Sequence, residues 1–178
     1  QLDAGRLDTV ANAVAITEAR KAKYDFTQPY SYYGSQIVTH SDNTSINTFA
    51  DLHGKTISGV LGSNHIKNLE RQFPNKEVNV KTYETRDGAM KDLEFKRVDG
   101  YINSKPILLA EIKRGNLPFK LVDKPLVIEA VGYAFARNEK GQKLRTEFDQ
   151  ALTKLKQDGT IKALSEKYYG ADITVPEQ

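Results

Sequence analysis

The residues best suited to chemistry lie in TVANAVAITEARKAKYDFTQPY, residues 9–30. Residues 9–12 read as a strand and 13–16 as a tight connection, and Thr17 opens a short helix. A threonine hydroxyl accepts a hydrogen bond from a first-turn N–H, so Thr17 is a good N-cap. A capping box would place Glu or Gln three residues on; Arg20 stands there, followed by Lys21. Cations at a helix N-terminus are unfavourable by roughly 0.3–1 kcal/mol each. Their presence makes sense if an anion shares the site, because free N–H groups and a guanidinium fork together hold a carboxylate. The alternative is a solvated Arg20 paired to a nearby glutamate.

Two more segments carry polar groups at the ends of expected strands, where ligands of α/β proteins gather. Gly62-Ser63-Asn64 leads into a helix, and its glycine lets backbone N–H groups approach an anion. It lacks the G-x-x-x-x-G-K-[ST] pattern of a phosphate loop, so an ordinary glycine turn is the competing reading. Asn103-Ser104-Lys105 is the other. Tyr30, Tyr32 and Tyr33 either stack on a ligand or pack at an edge, and packing is favoured.

Catalysis finds little support. His40, His53 and His65 lack the H-E-x-x-H spacing of a metal site. His65 reads as an exposed first-turn residue, and a Ser63–His65 nucleophile pair would need a third, orienting group. Glu18 simply favours the helix dipole. No catalytic residue, metal ligand or cofactor is expected.

The elements that position these groups follow from periodicity and punctuation. The chain has 178 residues, 39% hydrophobic and 28% charged, with net charge +3. Such a composition suits one domain or two small ones. It has no cysteine, which rules out disulfides and zinc–thiolate sites. No apolar run reaches the roughly 18 residues of a membrane span. No like-charge block or nucleic-acid motif is present. Gln1 to Ala4 look like a helix end stopped by Gly5. Strands are expected at 36–40, 55–60, 78–83, 98–103, 119–122 and 133–137. Helices alternate with them, one beginning near Pro106 and the longest covering 142–158. Thr160 caps a final helix. Turn formers at 41–45 mark the first crossing between lobes, and alternation implies a mostly parallel sheet.

AN-x-x-x-IT-x-x-R with D-F-x-x-P-Y, then DLHGKTISGVLGSN, VDGYINSKP and LKQDGTIKALSEKYYG, together resemble the polar amino-acid-binding solute receptors of bacterial ABC importers. The resemblance spans the whole chain. It implies a two-lobed periplasmic-binding-protein fold of type II, each lobe a mostly parallel sheet flanked by helices, with ligand clamped between lobes. Residues 1–39 and 133–178 would form lobe 1, incomplete at its N-terminus, and residues 40–132 lobe 2. By resemblance, Arg20 forks the ligand carboxylate, shared with the N–H groups of Ala15 and Asn64 and the Ser63 hydroxyl. The Ala13 carbonyl accepts from an ammonium, and Asn103 contacts a side chain. Ser104 stands where the family usually has Asp, which puts simple amino-acid binding in question. The implied function is an extracytoplasmic binding protein, periplasmic or surface-anchored, with a membrane permease as partner. A polar amino acid is the expected ligand, cystine by slight preference, because NVKTYET, RVDGYINS and FKLVDKPL look most like that subgroup. The alternatives are a cyclohexadienyl-dehydratase-like enzyme and the ligand-sensing domain of a receptor.

Overall fold

Alternation along β-strands, whose successive side chains point to opposite faces, sets the core of the larger part of the molecule. The computed structural model describes residues 1–176. In chain order the elements are α1 (Glu18–Lys21), β1 (Tyr24–Phe26), β2 (Ser31–His40), a 3-10 turn (Phe49–Leu52), β3 (Thr56–Val60), α2 (Asn64–Gln72), β4 (Asn79–Tyr83), α3 (Arg86–Glu94), β5 (Gly100–Ser104), α4 (Lys105–Gly115), β6 (Phe119–Val131), β7 (Ala134–Ala136), α5 (Glu139–Gln157) and α6 (Thr160–Tyr169). They form two units: Gln1–Tyr33 with Glu129–Gln178, and Gly34–Ile128.

The second unit is built on a five-stranded sheet in the order β4-β3-β5-β2-β6. β3 is parallel to both β4 and β5, and β2 is antiparallel to β5, so the sheet is mixed. Ile37 and Ile102 face one cluster with Ile57, Ile66 and Leu69. Their chain neighbours Val38 and Tyr101 face another with Ala89, Leu93 and Leu108. Helix α2 thus covers one face, and α3 and α4 the other. Burying each such aliphatic side chain contributes about 1.5–3 kcal/mol.

In the first unit β1 pairs antiparallel with β7, Tyr24 opposite Ala136. Bridges join Val10 to Ala134 and Ala15 to Val131. Phe148 of α5 packs edge-on against Tyr133 and Phe135, each with ring centroids 5.2 Å apart. Asp149 of α5 accepts the Gln28 N–H at 2.7 Å. Ser165 of α6 accepts the Ile173 N–H at 2.8 Å and so ties down the segment after α6.

The differences from the sequence reading have local causes. Residues 9–12 form a bridge at Val10 rather than a strand, while Tyr24–Phe26 is a strand too short to show alternation. Strand β6 continues past residue 122 through Asp123-Lys124-Pro125, which reads as a break. Its Asp123 takes φ +54°. Helix α5 begins at Glu139 because the Asn138 side chain accepts the Gly141 N–H at 2.8 Å. The turn formers at 41–45 follow the end of β2, whereas the units part inside β2 at Tyr33/Gly34 and inside β6 at Ile128/Glu129. A strand running through that point gives no turn signal.

Candidate functional site

Of the candidate residues, Ala13, Ala15 and Arg20 lie in the first unit, and Ser63, Asn64, Asn103 and Ser104 in the second.

Thr17 caps α1 as expected, its hydroxyl accepting the Arg20 N–H at 3.3 Å. The helix is a single turn, so Arg20 and Lys21 sit in its last turn, and Glu18 in its first. Cations there suit the dipole, and the electrostatic misfit read from the sequence disappears. Lys21 pairs with Glu18 at 2.8 Å. What orients Arg20 is instead its Nη1–H, donated to the Ala15 carbonyl at 2.8 Å. Ala15 is fixed in turn: it is buried and bridged to Val131, and the next residue's N–H bonds the Ala130 carbonyl at 2.8 Å. Two residues upstream, Ala13 has φ +43°. A non-glycine residue in this region stores roughly 1–3 kcal/mol of strain, a cost that clusters at ligand clamps.

Around this loop stand Tyr30 and Tyr33, read from the sequence as edge-packing tyrosines, with Tyr133 and Glu129, which the sequence did not single out. Tyr30 stacks on Tyr133 with centroids 4.8 Å apart. Tyr30 also lies near the Ala13 backbone, and burial raises its phenol pKa above the usual 10.0. Tyr33 lies beside Glu129. Burial first, then the Glu129 charge, raises the Tyr33 pKa, against a smaller opposing pull from Arg20.

In the second unit, Ser63 is the N-cap of α2, accepting the Ile66 N–H at 3.3 Å. Gly62 before it has φ +73°, the left-handed conformation that favours glycine. Ser104 ends β5 opposite Ser35 of β2 and begins α4 without a side-chain capping bond. The Asn103 amide is used internally. Its Nδ2 donates to the Tyr101 hydroxyl at 2.6 Å, and its Oδ1 accepts the Ser104 N–H at 2.7 Å.

The sequence reading of His65 as exposed does not hold. Its Nδ1 lies 2.8 Å from the Ser35 hydroxyl, which accepts from the Asn68 amide at 2.8 Å. The buried Ser35 hydroxyl thus bridges the Asn68 amide and the ring of His65, which is itself partly buried. Burial lowers its pKa from the usual 6.5. A cue existed in the i, i+3 spacing of His65 and Asn68, but Ser35 is distant in sequence. The described residues contain no group of three or more His, Cys, Asp or Glu placed to hold a metal ion, and no helix long and apolar enough to cross a membrane.

The sequence profile of the bacterial extracellular solute-binding proteins, family 3, matches residues 1–171. The chain belongs to this family. It is 51% identical over its whole length to the probable amino-acid-binding protein YxeM of Bacillus subtilis, covering 67% of that protein. It is 34% identical to the L-cystine-binding protein TcyJ of Escherichia coli, with 97% of this chain and 64% of that protein aligned. The chain thus spans about two thirds of the length of these curated relatives. Among solved structures it is similar to the L-cystine solute receptor of Neisseria gonorrhoeae in the unliganded open conformation. The TM-score is 0.81 at 28% identity, over 98% of this chain and 73% of that one. Fold class and family thus agree with the resemblance carried by the motifs: this is an α/β solute-binding protein of the type II periplasmic-binding-protein fold.

Proposed function

We propose that this family member captures a polar amino acid, cystine by preference, outside the cytoplasm and delivers it to the membrane permease of an ABC importer. Arg20 takes the ligand carboxylate, and the observation carrying this reading is the bond from its Nη1 to the fixed Ala15 carbonyl. That bond leaves the guanidinium's other donors free to fork a carboxylate. The N–H groups of Ala15 and Asn64 and the Ser63 hydroxyl are further carboxylate donors. Ala13 offers its carbonyl to the ammonium, while Ser104 offers a hydroxyl, and Asn103 shapes the wall through its bond to the Ser104 N–H. The lobes in this reading are residues 1–39 with 133–178, and residues 40–132. Relatives named for binding amino acids and cystine support the choice of ligand. The protein binds rather than turns over its ligand. The Ser35–His65 pair is no nucleophile and base, because Ser35 is only 3% exposed and its hydroxyl is committed on both sides.

The test is calorimetric titration with amino acids, L-cystine included. Arg20→Met should abolish most binding while the fold persists, because a charged hydrogen bond contributes about 1.5–3 kcal/mol and a bidentate pair more. Arg20→Lys should also bind poorly, since an ammonium cannot replace the fork. Wild-type affinity in Arg20→Met would overturn the assignment.

A further inference from the structure

We propose that Glu129 supplies the negative charge that holds the ligand's amino group, making it a specificity residue that separates amino acids from amine-free acids. The proposal rests on the reading of Arg20 as carboxylate clamp and adds the partner for the opposite end of a zwitterion.

Glu129 is placed for this by the backbone that fixes the Arg20 loop. It directly precedes Ala130, whose carbonyl accepts the Ile16 N–H at 2.8 Å, and Val131, which bridges Ala15. Its carboxylate lies beside Tyr33, a residue that also feels the Arg20 charge. The Tyr30 ring, stacked on Tyr133, adjoins Tyr33 and lies near the Ala13 backbone. Arg20, Glu129, Tyr33 and the Ala13 backbone therefore form one polar cluster within the first unit. It presents a cationic fork and an anion side by side, the pattern complementary to an α-amino acid.

The chemistry requires such a group. An ammonium removed from water without a counter-charge is strongly disfavoured. The Ala13 carbonyl and the Ser104 hydroxyl offer dipoles only. A carboxylate beside a tyrosine stays acceptor-only when ionised and keeps lone pairs for an ammonium. Tyr33 then acts as a positioning residue.

The experiment titrates the whole chain by calorimetry with two probes. One is L-cystine; the other is dithiodipropionate, the same molecule without its amino groups. Glu129→Gln should weaken L-cystine by about tenfold or more, the scale of a lost charged hydrogen bond, and leave dithiodipropionate unchanged or tighter. Tyr33→Phe, which keeps the carboxylate, should cost L-cystine less than Glu129→Gln does. Glu129→Gln is an isosteric change at a half-buried position, and a melting curve verifies its fold. Equal loss of both probes, or undiminished L-cystine binding, would overturn the proposal. Arg20→Met, run beside it, separates the two readings: it should lose both probes, and retention of both there would refute the clamp itself. A wild-type chain that binds neither probe would refute both.

Discussion

A single hydroxyl shows how much a residue's role depends on neighbours distant in sequence. Ser35 lies between the Asn68 amide and the His65 ring, at 2.8 Å from each. Removing it would leave the Asn68 amide and the His65 ring nitrogen without this partner, at about 1–3 kcal/mol for such a loss. Ser35→Ala should therefore lower the urea midpoint with an unchanged slope, and an unmoved midpoint would show that the relay is immaterial. His65 adds a pH signature. Its folded pKa lies below 6.5, so below that value the unfolded chain binds the extra proton more readily than the folded one. This contribution is full above pH 6.5 and is lost as pH falls through the folded value. His65→Gln should flatten that part of the stability profile, measured as melting temperature against pH. Only the His65–Asn68 spacing was legible in the sequence, where Ser35 belongs to no motif. Arg20 was singled out, but for a reason that the one-turn helix removes.

At the scale of elements, α4 carries an unfavourable group in its interior. Glu111 is only 6% exposed, and neither of its carboxylate oxygens has a hydrogen-bond partner among the described residues. Arg86 approaches to 3.3 Å, near enough for charge attraction but outside hydrogen-bond geometry. Burial wins, and the Glu111 pKa is raised above the usual 4.5. The folded chain then holds the proton more tightly than the unfolded one. Stability falls as pH rises from the ordinary carboxylate value through the raised one. Glu111→Gln should raise the melting temperature at neutral pH and bring little gain once the acid is protonated in both states. A melting temperature that drops at neutral pH would show that Arg86 outweighs burial. The neighbouring Asp92 behaves oppositely. A hydrogen bond from Tyr83, then Lys81 at 2.9 Å and Arg97 at 3.3 Å, lower its pKa to about 2. Its stabilising contribution is present above pH 3.8 and lost as pH falls towards that lowered value. Elements with strong punctuation were readable in advance: Thr85 caps α3, accepting the Gly88 N–H at 3.3 Å. Those made by pairing, such as β1 and the second half of β6, were not, because their partners lie far away in sequence.

For the molecule as a whole, β2 and β6 carry the chain between the two units, and their spacing is set at a glycine. A Cβ on Gly34 would stand 2.2 Å from the Val127 carbonyl oxygen and 2.6 Å from the Pro125 Cβ. Backbone cannot yield as a flexible side chain can, so Gly34→Ala should cost about 1–3 kcal/mol or more and disturb both passages at once. Denaturant unfolding of the variant measures it, and wild-type stability would show that the two strands separate freely. The α/β fold class was evident from ordered motifs along the chain. The points where the units part carry no turn signal, because unbroken strands run through them.

Because the second unit is one continuous segment and the first is closed by residues from both ends, the two cannot form on the same schedule. Thr9 meets Ala134 and Gln28 meets Asp149 across separations of 125 and 121 residues. Closing such loops is entropically costly until the intervening chain has collapsed. The second unit should therefore assemble first and bring residues 33 and 129 together, a template on which the first then closes. In refolding followed by pulsed hydrogen exchange, the amides of Ile57 and Ile102 should gain protection before those of Ile16 and Thr27. On a ribosome, the Arg20 loop would wait, unpaired, until the far end of the chain had been made.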